Sequence, residues 1–291
     1  MKSAVVVMAT TTACGTLITY GFSALLSLSG EFKYSFLIGS ILVALTALVW
    51  FFFYNKLVVD KQDIKDEHST REVVENVPTK AKLPSILIVS IVCLAFFSIV
   101  NNLVKDGINT WVPEILKQSF GFGDSLSISL TLLLPVVSVF GSVFTVFLNK
   151  YIKNFVSLAG VLYLLTIPFL VLTMIFIRTN MFIIVLISLA ILALLMTGVN
   201  TVVTTMFPLQ ERDYINSGKL AGLLNGFCYV GSTISSYGLG KVVDITGDWM
   251  NIFKIFLVLV VLVIVIAFSL AVVLHHKKKK EVKDNSSTVN D

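Results

Sequence analysis

Four polar residues, Ser98, Asn101, Lys105 and Asn109, emerge from the apolar run at 86–100 at spacings of three, four and four. That period stacks them on one face of a helix, where polar groups inside the bilayer mark either an interface anchor or a pathway. The stretch NNLVKDGINTWVPEIL (101–116) therefore poses a choice. If the span has already ended, Lys105 snorkels to the interface and Trp111 belongs to an aromatic belt. If the helix runs on through Ile108, Trp111 and Val112, Lys105 is a charge inside the bundle and marks a pathway. Periodicity leaves both open. A loop has no reason to keep the period, so the expectation is a continuous or gently kinked helix over about 86–112 with Lys105 facing an interhelical cavity.

Other stretches repeat the pattern. Asn225, Tyr229, Ser232 and Ser236 share a helical period, with Gly218 and Gly222 close to the same line. Thr131, Pro135, Ser138, Ser142 and Thr145 align, as do Thr12, Thr16, Thr19 and Ser23, while Thr197, Asn200, Thr201 and Thr204 cluster. Each stripe alone is accounted for by close helix packing through small residues. Asn225 with Tyr229 exceeds what packing requires, and several such faces converging would line a solute pathway. Asp106 lies one residue off the Lys105 face, which argues against it as a mid-membrane proton carrier.

The elements that position these residues follow from composition. At 56% hydrophobic and 13% charged, with mean hydropathy +0.91, the chain is an all-α integral membrane protein. Apolar stretches at about 3–28, 34–54, 84–116, 126–148, 155–177, 181–206, 217–240 and 251–274 each reach the roughly 20 residues that cross a bilayer. Eight transmembrane helices are expected. They divide as 1–54 with two helices, a charged linker at 55–83, a six-helix bundle at 84–274, and a basic tail at 275–291.

Sixteen of the 22 Lys and Arg residues fall on one side if Lys2 is cytoplasmic. The bias places both termini and the linker in the cytoplasm of a multi-pass cell-membrane protein. The net charge of +5 is then a topological signal, and no nucleic-acid partner is implied. The lysine-rich tail is expected to lie against anionic membrane lipid and then become disordered. Residues 1–28 are too long and too rich in threonine for a cleaved signal peptide. Cys14, Cys93 and Cys228 all lie inside expected spans and read as packing residues. With His68, His275 and His276 outside mid-membrane, neither metal nor cofactor is expected. Asn285-Ser286-Ser287 fits a glycosylation sequon in a tail expected to face the cytoplasm.

The residues VKDGINTWVPEIL resemble the Arg-x-Gly-x-x-x-Trp-x-Pro element of the major facilitator superfamily, within the organophosphate:phosphate antiporter group. Lys105, Gly107, Trp111 and Pro113 occupy its positions. The stretch FPLQERDYINSGKLAGLLNGFCYVGSTISSYGLGKVVDITGDWMNIF (207–253) is similar to the family's eleventh helix and its exit into the twelfth. EFKYSF (31–36) is similar to the entry to the sixth. The resemblance implies family helices five to twelve, a partial major facilitator fold with two helices of the first half and a complete second half. The first four helices would be missing, and with them the first-helix arginine of the anion clamp. Lys105 stands where the group has arginine, which loses bidentate geometry but keeps a point charge. Asn149 stands where the family's corresponding loop usually has Asp.

The resemblance implies secondary transport by alternating access of a small anionic, sugar-phosphate-like solute. Lys105 would hold the anion, with Asn101, Asn109, Asn225 and Tyr229 as hydrogen-bonding contacts and Asn200, Thr12 and Thr16 as further ones. Gly107, Trp111 and Pro113 would be structural. Two alternatives stand beside it: a proton-coupled carrier or drug exporter of the same superfamily, and an eight-span assembly partner without transport of its own. Paired carboxylates, a His cluster, a nucleophile elbow and a phosphate loop are lacking, so an enzyme is not expected. A chain without its opposing bundle is expected not to transport alone, and to recruit the missing N-terminal half or form a homo-oligomer.

Overall fold

The computed structural model describes residues 15–23, 25–26, 33–57 and 84–287. Every regular element among them is helical. In chain order these are α1 (15–23), α2 (Lys33–Leu57), α3 (Ser85–Phe120), α4 (Asp124–Thr131), α5 (Leu133–Leu148), α6 (Phe155–Arg178), α7 (Phe182–Thr201), α8 (Phe207–Gln210), α9 (Ser217–Thr233), α10 (Gly240–Thr246) and α11 (Met250–Ser287). Two π-helical stretches, Val202–Met206 and Ile234–Leu239, join α7 to α8 and α9 to α10. Six helices of the described residues are long and apolar enough to span a bilayer: Phe36–Phe53, Ser85–Phe120, Asp124–Leu148, Phe155–Arg178, Phe182–Asp213 and Met250–Val273. The run 217–246 is helical throughout without being among the six. Most of the expected 3–28 span, Thr12 included, and most of the 55–83 linker lie outside the described residues.

Prolines accompany two of the interruptions, at Leu132 and at Val202–Met206. A proline removes the hydrogen bond to the carbonyl four residues back and crowds that carbonyl. For Pro135 that carbonyl belongs to Thr131, where α4 ends before the break at Leu132. Pro208 acts on Thr204, inside the first π stretch, where the Phe207 N–H bonds to the Val202 carbonyl five residues back. The widened turn absorbs the ring without ending the helix.

Helix α3 is the hub. It runs unbroken for 36 residues past Pro113 to a left-handed Gly121, whose N–H bonds to the Lys117 carbonyl. At about 1.5 Å per residue this helix exceeds the hydrocarbon thickness, as a tilted or projecting helix does. Its buried face, including Leu94, Phe97, Val104, Ile108, Val112 and Leu116, joins the core with Leu162, Leu192, Val199 and Phe256. The continuation from residue 112 to Phe120 is longer than the sequence expectation, because the apolar residues Ile115 and Leu116 remain on the buried side.

Glycines set two of the closest contacts. A side chain at Gly231 of α9 would overlap the Ile99 carbonyl of α3, and one at Gly141 of α5 would overlap the Leu194 carbonyl of α7. Backbones meet there because the glycine offers no Cβ to hold the facing carbonyl away. Polar bonds reinforce the same layers. Ser142 and Thr201 hydroxyls lie 2.7 Å apart, and the buried Tyr163 hydroxyl donates to the Phe97 carbonyl at 2.7 Å.

The C-terminal region departs from expectation. Helix α11 continues to Ser287, thirteen residues beyond 274, so 275–287 is helical rather than disordered. Lysine and glutamate are good helix formers, and a preformed turn removes the cost of nucleation.

Candidate functional site

A polar cavity of about 610 Å³ lies against α3. Lys105, Asp106 and Asn109 line it from α3, with Pro135, Ser138 and Ser142 opposite on α5. Thr197, Asn200 and Thr201 of α7 form a further wall, and Thr204 of the adjoining π stretch extends it. Thr16 of α1 and Gly222 and Asn225 of α9 close the remaining sides. All five of the expected polar faces therefore contribute to one space. Lys105 and Asp106 are the two charged residues of the lining.

The positions of the expected contacts differ in ways the helix explains. Lys105, Asn109, Asn200, Asn225 and Thr16 line the cavity. Asn101 does not. It is fully buried, donates to the Asn102 amide oxygen at 3.2 Å, and has no hydrogen-bond partner for its own oxygen. Ser98, one turn away, is fully buried as well and is likewise outside the lining. Tyr229 is also displaced from the expected role, being 65% exposed and outside the lining. Asn225 and Ser232 are seven residues, close to two turns, apart and point the same way, whereas Tyr229 is rotated some 60° from Ser232.

Asp106, set aside by the sequence period, belongs to the site. Adjacent helical residues diverge by about 100°, but this cavity is wide enough to meet both side chains. The Asp106 Oδ2 accepts a hydrogen bond from Ser232 of α9 and another from Asn102 Nδ2 at 3.3 Å. Asn102 also donates to Ser232 Oγ at 3.2 Å. The other carboxylate oxygen, Oδ1, lies 3.7 Å from Lys105 Nζ, with the two side chains 29% and 21% exposed. That separation is an ion pair beyond hydrogen-bond length. The carboxylate is thus anchored through one oxygen and open through the other. Asn102 and Ser232 were legible as polar residues, but their convergence on Asp106 depends on the α3–α9 crossing.

The Gly107, Trp111 and Pro113 element acts in packing. A Cβ on Gly107 would come within 2.8 Å of Leu239 and Phe256. Trp111 donates to the Ser235 carbonyl at 3.3 Å, in the second π stretch, and packs against Trp249 with ring centres 5.7 Å apart. Its ring occupies the space a Cβ on Gly240 would need. Trp111 is therefore held inside the helix bundle rather than in an aromatic belt. Pro113 deprives the Asn109 carbonyl of its helical donor, and the Tyr20 hydroxyl of α1 supplies one at 2.7 Å. The proline thereby ties α1 to the cavity wall.

Among the described residues no group of His, Cys, Asp and Glu is arranged to hold a metal ion. No curated protein matches the chain. The family model described as Major Facilitator Superfamily matches residues 2–217, a span that takes in most of the cavity wall. An all-α chain with six apolar spans among its described residues and this match belongs to the Major Facilitator Superfamily, a family of membrane transporters.

Proposed function

We propose that the chain serves secondary transport of a small organic anion, sugar-phosphate-like in character, with the α3 cavity as the solute site. The observation that carries this reading is Lys105, an ammonium set among hydroxyls and amides in a cavity of about 610 Å³. Lys105 makes the anion contact, and Asn109, Asn200 and Asn225 hydrogen-bond the rest of the solute. In alternating access the loaded site lowers the barrier to closure, here by satisfying Lys105 donors that its 3.7 Å pairing with Asp106 leaves unfilled in a low-dielectric wall. Both termini and the 55–83 linker are assigned to the cytoplasmic side of the cell membrane, on the basic-residue bias.

The test is calorimetric binding of glycerol 3-phosphate to the purified chain in lipid nanodiscs. Saturable binding should weaken at least tenfold in Lys105→Ala. It should be unchanged in Lys117→Ala, whose ammonium pairs with Asp124 at 2.7 Å outside the cavity. Equal binding by wild type and Lys105→Ala would defeat the assignment. A second reading, a proton-coupled carrier, draws support from Asp106 at the cavity wall. It expects proton uptake with solute that disappears in Asp106→Asn.

A further inference from the structure

We propose that the solute is zwitterionic, with an anionic group for Lys105 and an ammonium or similar cationic donor for Asp106. This rests on the reading of the α3 cavity as the solute site and names its substrate class. Lys105 and Asp106 stand side by side on the lining, so the lining carries no net charge. A solute bearing only negative charge would approach Lys105 against the repulsion of a carboxylate 3.7 Å from the same ammonium.

The carboxylate cannot readily turn away. Its Oδ2 is held by Ser232 across the helix crossing and by Asn102 one turn below. Its Oδ1 receives no hydrogen bond among the described residues and faces Lys105, leaving acceptor capacity toward the cavity. Lys105 has three donors and, among the described residues, Asp106 as its one charged neighbour within 4 Å. Each partner is thus underused as a hydrogen-bonding group. The two are consecutive on α3 and their side chains diverge around the helix, so neither satisfies the other.

The separation sets the solute's dimensions. Contacts of about 2.8 Å from a solute anion to Nζ and from a solute ammonium to Oδ1 form a four-centre arrangement of alternating charge. The solute's own charges are then about 3–5 Å apart, the reach of an amine up to about four bonds from the atom carrying the anion. An aminoalkyl phosphate has that spacing. The neutral hydroxyl and amide groups on α5, α7 and α9 accommodate the remainder.

Calorimetry with two probes of near-equal size, 2-aminoethyl phosphate and ethyl phosphate, decides the matter on the wild-type chain in nanodiscs. The zwitterion should bind at least tenfold tighter. Asp106→Asn should lose that preference while binding ethyl phosphate at least as well as wild type, which also reports that the variant is folded. Lys105→Ala should weaken both probes. If wild type binds ethyl phosphate as tightly as the zwitterion and Lys105→Ala still loses both, the anion site stands and the zwitterion proposal is overturned. If neither probe binds, the proposal falls together with the anion reading. An Asp106→Asn variant that keeps the full preference for the amine likewise overturns the role of Asp106.

Discussion

Helices α2 and α3 are almost equally apolar by composition. Their surroundings are opposite. None of the most apolar stretch of α2 is buried, whereas more than half of that of α3 is. Along α2 large side chains such as Val43, Phe51 and Phe52 are 69–76% exposed, and its Ser40 and Thr46 hydroxyls bond back to carbonyls four residues earlier. On α3 the polar residues reach other helices: Asn102 bonds Ser232, and Trp111 bonds the Ser235 carbonyl. Hydropathy thus reports the solvent a helix tolerates. Polar residues that reach beyond their own backbone, and glycines at crossings, report where protein packs.

The comparison is easiest to break by topology. If α2 and α3 both cross the bilayer with the linker inside, a single cysteine at position 65 will resist an impermeant thiol reagent on intact cells. One at position 180, after α6, will react. This is an all-or-none outcome, and the reversed pattern would refute the orientation. The measurement requires a background lacking Cys14, Cys93 and Cys228.

A large stability difference should separate a glycine packed against α3 from one on α2. Gly231→Leu forces a side chain into the Ile99 backbone carbonyl and should destabilise the α3–α9 pair by about 3 kcal/mol or more, at the upper end of overpacking. The loss is read as a drop in thermal unfolding midpoint in nanodiscs. Gly39→Leu on α2, with nothing within 4 Å of its Cβ position, should leave that midpoint unchanged. Equal effects would mean that α2 is packed as α3 is.

Smaller effects test the bonds that distinguish α3. Trp111→Phe keeps most of the ring packing but removes the donor to Ser235, at a cost of about 1 kcal/mol by the usual worth of a buried hydrogen bond. Unfolding monitored by circular dichroism would register it. Tyr20→Phe should cost about 0.5–1.5 kcal/mol through the unsatisfied Asn109 carbonyl. Restoring that carbonyl's helical donor with Pro113→Ala should erase the Tyr20→Phe penalty. A penalty undiminished in the Pro113→Ala background would show that Tyr20 acts through something other than this bond.

Much was fixed by the chain alone. A run of apolar residues long enough to cross lipid must be helical, since no other single segment satisfies its backbone there. The expected boundaries at 84–116, 126–148, 155–177 and 181–206 accordingly lie close to observed helices. The spacing of Lys105 and Asn109 likewise placed both on one face, and both line the cavity. What the chain alone left undecided depended on where neighbouring helices cross. Asn101 shares the period of Lys105 yet is fully buried and outside the cavity lining. Tyr229 shares a stripe with Asn225 and faces outward. Asp106, off the stripe by one residue, is drawn into the site by Ser232 from 126 residues away. Local period specifies direction around one helix axis to within a fraction of a turn, while burial and partnership depend on which second helix lies in that direction and how near its backbone comes.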